Sequence, residues 1–326
     1  MRAPVRKSDK HAPVAQATVS RAPWPLLALA LVLGFESAGC TREPKPASTA
    51  ADTPSTAATT EWWGQDTTQL VMDATKFTNS ATISNEWFPL KPGLRMTFEG
   101  TAFDDAGVQV PRKMQINVTD LTKEVGGVRS LVCWDLDWTE GMLVEAELAC
   151  FAQDNDGNVW VMGEYPEEYD DGNGVVTANP AWFHGFENAR AGMLVPSKAV
   201  VGGPTFSQGW GPEVGYSDRG KVDSVGVSTC VPLDCYSDLM VVAESSGDEV
   251  EVEQLKYYAK GVGNVRAHWR GKNDKEQQTL LLTKIEMLDA KGIAEVRKNA
   301  LALDAKAIKN NPLYAQTAKI QGPSNP

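Results

Sequence analysis

Ser130-Leu-Val-Cys-Trp-Asp-Leu-Asp-Trp-Thr-Glu-Gly-Met-Leu-Val-Glu-Ala-Glu-Leu-Ala-Cys-Phe151 decides the fold. Both halves of the stretch alternate in polarity with a period of two, the signature of a strand buried unevenly on its two faces. The glycine between them supplies the backbone freedom of a tight hairpin turn. If Gly141-Met142 is a two-residue loop with glycine first, as a type II′ turn requires, Cys133 faces Cys150 in a non-hydrogen-bonded pair, where side chains approach most closely. The same register places Trp134, Leu136 and Trp138 opposite Ala149, Glu147 and Glu145.

Outward from this hairpin the pattern repeats. Leu94 to Phe103, Lys113 to Val118, Asn158 to Gly163, Lys221 to Thr229, Asp238 to Glu244, Val250 to Tyr258, Asn264 to Arg270 and Thr279 to Met287 all read as strands. Turn clusters such as Asp104-Asp105-Ala106-Gly107 and Gly126-Gly127 separate them. Many short strands without intervening helices predict a mainly β domain over 66–287, an antiparallel sheet curved into an open barrel or a sandwich. The stretch from Ala178 to Thr205, with Trp182, Phe183 and Phe186, reads as a long loop packed on the sheet or over one end of it. Tyr165-Pro-Glu-Glu-Tyr-Asp-Asp-Gly172 reads as a solvated acidic loop. From Leu288 the period changes: Ile293, Val296, Ala300, Leu303 and Ala307 form one apolar stripe of a helix that stops near Asn310-Asn311-Pro312, so 288–326 is a helical tail.

Four stretches together resemble an uncharacterised family of secreted and lipid-anchored bacterial β-rich proteins. They are Ile83-Ser-Asn-Glu-Trp-Phe-Pro-Leu-Lys-Pro-Gly93, Gly141-Met-Leu-Val-Glu145, Ala152-Gln-Asp-Asn-Asp-Gly-Asn-Val-Trp160 with Gly163-Glu164, and Tyr257-Tyr-Ala-Lys-Gly-Val-Gly263. The resemblance spans Phe77 to Val265 and implies a β fold in the envelope, with no activity attached. The chain departs from the family at Ser207-Gln208-Gly209, where an acidic residue commonly follows the glutamine. It also departs in its Cys230/Cys235 pair and its helical tail.

The N-terminus agrees with that location. Five basic residues precede an apolar run, Leu26 to Phe35, which ends at Ser37-Ala38-Gly39-Cys40. The run is too short to span a bilayer as a helix, and the layout is that of a secretion signal. It resembles a lipoprotein signal peptide, which makes Cys40 the acylated first residue of the mature chain. Thr41 in place of Asp then favours the outer membrane. Residues 40–65, rich in Pro, Ala, Ser and Thr, form a flexible tether. Without residues 1–39 the chain keeps 26 basic and 40 acidic side chains. That excess repels phosphate backbones and excludes nucleic acid as a partner.

Four cysteines remain after Cys40, an even number in an exported chain, and read as disulfides Cys133–Cys150 and Cys230–Cys235. Two widely spaced histidines, His184 and His268, offer no metal site. Asp154-Asn155-Asp156-Gly157 fails the calcium-loop pattern, because Ala152 and Gly163 fall where the first and last ligands belong. No cofactor is implied. The candidate ligand-binding face is Trp134, Trp138, Glu145 and Glu147, aromatic rings beside carboxylates. The expected role is non-catalytic binding of an apolar or glycan-like ligand or a partner protein, with membrane contact through the lipid anchor. Two alternatives stay open: a carboxylate-dependent hydrolase using Glu145 and Glu147, and a structural envelope component acting through the tail helix.

Overall fold

A computed structural model of the chain describes residues 67–68, 71–104, 107–170, 174–177, 181–246, 252–271 and 278–323. The signal segment 1–39, Cys40 and the tether 40–65 lie outside these residues. The strands are β1 (Thr67–Thr68), β2 (Leu94–Phe103), β3 (Gln109–Val125), β4 (Val128–Thr139) and β5 (Met142–Gln153). There follow β6 (Val159–Asp170), β7 (Gly174–Thr177), β8 (Trp182–Phe183), β9 (Arg190–Val195) and β10 (Thr205–Gly211). The set ends with β11 (Tyr216–Cys230), β12 (Cys235–Ser246), β13 (Val252–Ala259), β14 (Gly263–Gly271) and β15 (Thr279–Met287), and one helix, α1 (Ala290–Asn310), closes the chain.

The architecture is mainly β, a curved antiparallel sheet with a C-terminal helix, and the sheet closes on itself. The ring runs β10-β11-β12-β13-β14-β15-β2-β3-β4-β5-β6 and returns to β10 through β9. Twelve antiparallel strands therefore form a complete barrel, which leaves no unpaired edge in the ring. The closing strand lies in the segment that reads as a loop from sequence. β9 pairs with β6 through Val159↔Val195 and with β10 through Gly209↔Ala191, and β8 pairs with β6 through Gly163↔Phe183. Its one glycine, Gly192, explains why the pattern hides it. A Cβ on Gly192 would meet Gln208 Cα at 2.6 Å, so this backbone packs where no side chain fits.

Alternation along each strand divides the side chains between the lumen and the outside. The lumenal core gathers residues from strands β3 to β13, among them Leu131, Phe151, Val161, Phe206, Met240 and Tyr258. The segment that precedes β2 seals one end. Trp87, Phe88 and Leu90 enter that core. The segment is tied to the loops there by Gln153 N–H to Ser80 O (2.8 Å), Gly261 N–H to Glu86 O (2.7 Å) and Asn85 Nδ2 to Gly157 O (2.7 Å). The Asp154 turn joins β5 and β6 as a hairpin: its carboxylate accepts from the N–H of Asp156 and Asn158 and from Trp160 Nε1.

α1 begins where Asp289 accepts from the Gly292 N–H at 2.8 Å, an N-cap that satisfies an otherwise orphan donor. It buries Val296, Ala300, Leu303 and Ala307 against the outer face of the barrel, with Leu121, Val132, Leu148 and Met162. Each large apolar side chain buried there contributes about 1.5–3 kcal/mol. Lys306 reaches Glu167 Oε2 at 2.6 Å, and Arg297 pairs with Asp120. These contacts correct the acidic-loop expectation. Tyr165 to Asp170 continues β6, with Glu167 held from outside by Lys306 and the hydroxyls of Tyr165 and Tyr169.

Candidate functional site

The hairpin of β4 and β5 sets the site, and its register differs by one residue from the sequence expectation. The turn residues are Glu140 (φ 54°) and Gly141 (φ 80°), both left-handed, and Thr139 pairs with Met142. Positive φ at both positions is the type I′ arrangement, whose twist matches that of the strands. An irregularity follows between Asp137 and Trp138, and from there Asp137 faces Glu145, Asp135 faces Glu147 and Cys133 faces Ala149. A slip of one residue exchanges the two faces of a strand. Two expectations fall with it.

The first is the Cys133–Cys150 disulfide. Cys133 lies in the lumenal core and Cys150 in the outer core under α1, both buried and free. Side chains on opposite faces of a sheet cannot be bridged without moving the backbone. The second disulfide, Cys230–Cys235, is formed across the last pair of β11 and β12. The other correction concerns the candidate binding face. Trp134 and Trp138 pack on the outer face with the core beneath α1, and Lys113 Nζ sits 4.8 Å from the Trp138 ring centroid. Glu145 and Glu147 point into the lumen, away from both tryptophans.

What Glu145 and Glu147 meet there is a set of carboxyls. Asp135 and Asp137 stand beside them on β4, and Glu164 and Glu168 on β6. Asp218 and Glu244 complete the set from β11 and β12, and the opposing cations among the described residues are Arg112 on β3 and Lys256 on β13. Eight carboxyls thus share one interior with two cations. Arg112 is committed to Asp137 through Nε (2.9 Å) and also bonds Gln278. Lys256 Nζ lies 2.5 Å from Glu244 Oε2, whose partner oxygen accepts from Gln208 Nε2 at 2.9 Å.

Six carboxyls have no cation of their own among the described residues, and burial shifts them. Loss of water penalises the charged form. It pushes Asp135 up to about 8 and Glu164 and Glu168 up to about 7. Glu147 and Glu145 are driven well above the carboxylate range, first by burial and then by neighbouring carboxyls, Glu164 foremost for Glu147 and Asp137 for Glu145. Asp218 follows for the same reasons, with Glu244 its main repelling neighbour. Burial raises even Asp137, against the pull of Arg112.

Both oxygens of Glu147 (1% exposed) and Oε1 of Glu164 (1%) have no hydrogen-bond partner among the described residues, while the one group set against the burial of Asp135 (3%) is the backbone N–H of Asn117. The other Glu164 oxygen accepts from Trp182 Nε1 at 3.3 Å, and Trp182 stacks on Tyr216 with centroids 4.8 Å apart. Beside this chamber lies a cavity lined by Phe98, Met114, Ile116, Tyr258 and Lys256. Ile116 is the strand partner of Asp135 and Met114 that of Asp137, so the apolar wall borders the acids directly. The space open to the centre of a water molecule is about 40 Å³, room for about three waters.

Sequence reasoning found Glu145 and Glu147 but not their company. Trp134-Asp-Leu-Asp-Trp138 carries the missing signal, two aspartates two apart and hence on one face, which the expected register set on the face opposite to Glu145 and Glu147. Gly163-Glu164 and Gln208 stood in the stretches singled out above without a role. No group of three His, Cys, Asp or Glu among the described residues converges as a metal ligand set. None of the described helices is long and apolar enough to cross a membrane.

Fold and site define a closed antiparallel barrel with a carboxyl-filled interior. No protein-family model matches the chain, and no curated protein is significantly similar to it. Among solved structures, it is similar to one from Bacteroides fragilis described as an exported protein with a YmcC-like fold. That similarity has 12% identity and a TM-score of 0.34, over 62% of this chain and all of the other. A second, from Parabacteroides distasonis and described as a lipoprotein, has 13% identity and a TM-score of 0.33 over 61% of this chain and 98% of its own.

Proposed function

We propose that this protein is a lipid-anchored envelope binder that takes a small polar ligand inside its barrel, without catalysis. The observation that carries the reading is Glu147. A side chain buried to 1% exposure with both carboxyl oxygens unpaired costs stability, and such groups gather where a ligand supplies the missing partner. The apolar ligand expected from sequence finds little support in a cavity of about 40 Å³. The hydrolase alternative would require a scissile bond to reach Glu145 and Glu147 in this enclosed layer. The structural alternative needs the tail helix free, whereas its apolar stripe is spent on its own barrel.

Anchoring rests on the run ending in Ala38-Gly39-Cys40 and on the need for stable attachment through more than one acyl chain. Cys40→Ser should leave the membrane fraction or accumulate unprocessed, and unchanged partitioning would refute the anchor. The binding reading is tested by thermal unfolding against small sugars, alcohols, amines and acids. A ligand that binds only the folded state raises the melting temperature. The expected result is at least one stabilising class whose effect is lost in Glu147→Gln and kept in Trp138→Ala, since Trp138 faces away. Equal loss in both variants, or no stabilising class, would contradict it.

A further inference from the structure

The geometry points to a ligand of one chemical class: a primary ammonium on a short apolar stem, whose head displaces protons from the carboxyls around Glu147. This inference rests on the lumenal binding proposed above and names what the lumen selects. Three observations converge on it. Glu147 and Glu164, beside Asp135, turn oxygens that are unpaired among the described residues into one buried layer, and an oxygen that lacks a donor is satisfied by N–H. The same interior already holds an ammonium, since Lys256 Nζ sits 2.5 Å from Glu244 Oε2. Only one carboxyl is used by it. The cavity of about 40 Å³ then fixes the stem, because its wall of Phe98, Met114 and Ile116 adjoins Asp135 and Asp137 directly. A bare metal ion fits less well, for no three ligating groups among the described residues converge on a point.

Charge balance gives the binding its signature. The groups facing Glu147 are Asp135 on β4, Glu145 on its own strand, Glu164 on β6 and Lys256 from β13. Asp218 and Tyr216 on β11 and Glu244 on β12 complete the surroundings. Burial raises the proton affinity of all three acids, Asp135 to about 8, Glu164 to about 7 and Glu147 well above the carboxylate range, so at pH 6 Asp135 and Glu164 are mostly protonated. An entering R–NH3+ stabilises a carboxylate, so one carboxyl O–H bond breaks and its proton leaves to solvent while the ammonium keeps its own three. Net charge in the lumen is unchanged. Binding is thus an exchange of one cation for one proton.

Titration calorimetry on the intact folded protein at pH 6 tests this with n-propylammonium, its neutral isostere 1-propanol, and calcium chloride, each in two buffers of different ionisation enthalpy. The expected result is binding of n-propylammonium with about one proton released per ligand, and release that fades as the pH is raised through the range in which Glu164 and Asp135 lose their protons unaided, about 7 to about 8. Glu147→Gln, which removes the exchangeable proton without changing shape, should weaken that binding by at least about tenfold, the loss of one charge-assisted contact. If Glu147→Gln fails to fold, Glu164→Gln serves in its place with the same expected loss. Binding of 1-propanol as tightly as the ammonium, or of calcium in preference to it, would overturn the ligand class and leave lumenal binding standing. Heat from none of the three would overturn the ammonium too, whereas the thermal-unfolding screen with all ligand classes decides separately whether the lumen binds anything.

Discussion

Missing water raises the proton affinity of Glu147 well above that of an ordinary carboxylate, and each carboxyl nearby makes ionisation harder still. Its neighbour on β4, Asp135, shows the same balance from a different start, rising from 3.8 to about 8. Asp137 shows the limit of the remedy, since the Arg112 guanidinium beside it does not restore the ordinary carboxylate range. Such a layer resembles the sites where enzymes and carriers keep acids protonated at neutral pH. Of the glutamates in the layer, Glu145 and Glu147 were legible in the sequence as a pair two residues apart. The aspartates were not, because their assignment depends on a turn. Glu140 occupies a left-handed conformation that side chains rarely adopt, so placing glycine first in the loop was the lower-strain choice and the wrong one. Lys256 and Glu244 carry no local signal at all, as each gains meaning only from a partner on another strand.

At the scale of elements, period was a sufficient guide where one face is buried. Leu94–Phe103 and Thr279–Met287 have the bounds read from alternation, and α1 carries the stripe read from its three- and four-residue steps. Alternation is silent where a strand is very short or broken by a glycine, as in the two-residue β8 and in β9 with its Gly192. The barrel therefore looked open in the sequence although it closes. Closure depends on two close approaches, Gly192 against the Gln208 backbone and Gly163 against Trp182 O, where a Cβ would stand 2.7 Å from the carbonyl oxygen. Gly192→Ala should break the β9–β10 pairing and lower the unfolding free energy by about 2 kcal/mol or more, in the range of overpacked or strained sites. Urea unfolding followed by tryptophan fluorescence measures it, and a variant as stable as the parent would show that β9 does not hold the barrel shut.

For the molecule as a whole, an enclosed acid layer is a cost that the apolar half of the lumen, the sealed end and the docked helix must offset. That cost depends on pH, and its sign is fixed. An acid whose folded pKa lies above its unfolded value keeps its proton longer in the folded state, so stability is greatest below the unfolded pKa and is lost as pH rises through the folded one. For Asp135 the window runs from 3.8 to about 8, and for Glu164 and Glu168 from 4.5 to about 7. The paired surface acids Glu253 and Glu286 are shifted downward, so their contribution is lost only as pH falls below about 4.5 and does not overlap most of this window. The most direct measurement is therefore the unfolding free energy between pH 5 and pH 8, for the parent and for Glu147→Gln. A neutral, protonated interior predicts a parent that weakens steadily over that range and a variant with a shallower slope that is the more stable of the two at pH 8. Stability that is level or rises from pH 5 to pH 8, with Glu147→Gln no better than the parent, would contradict the account.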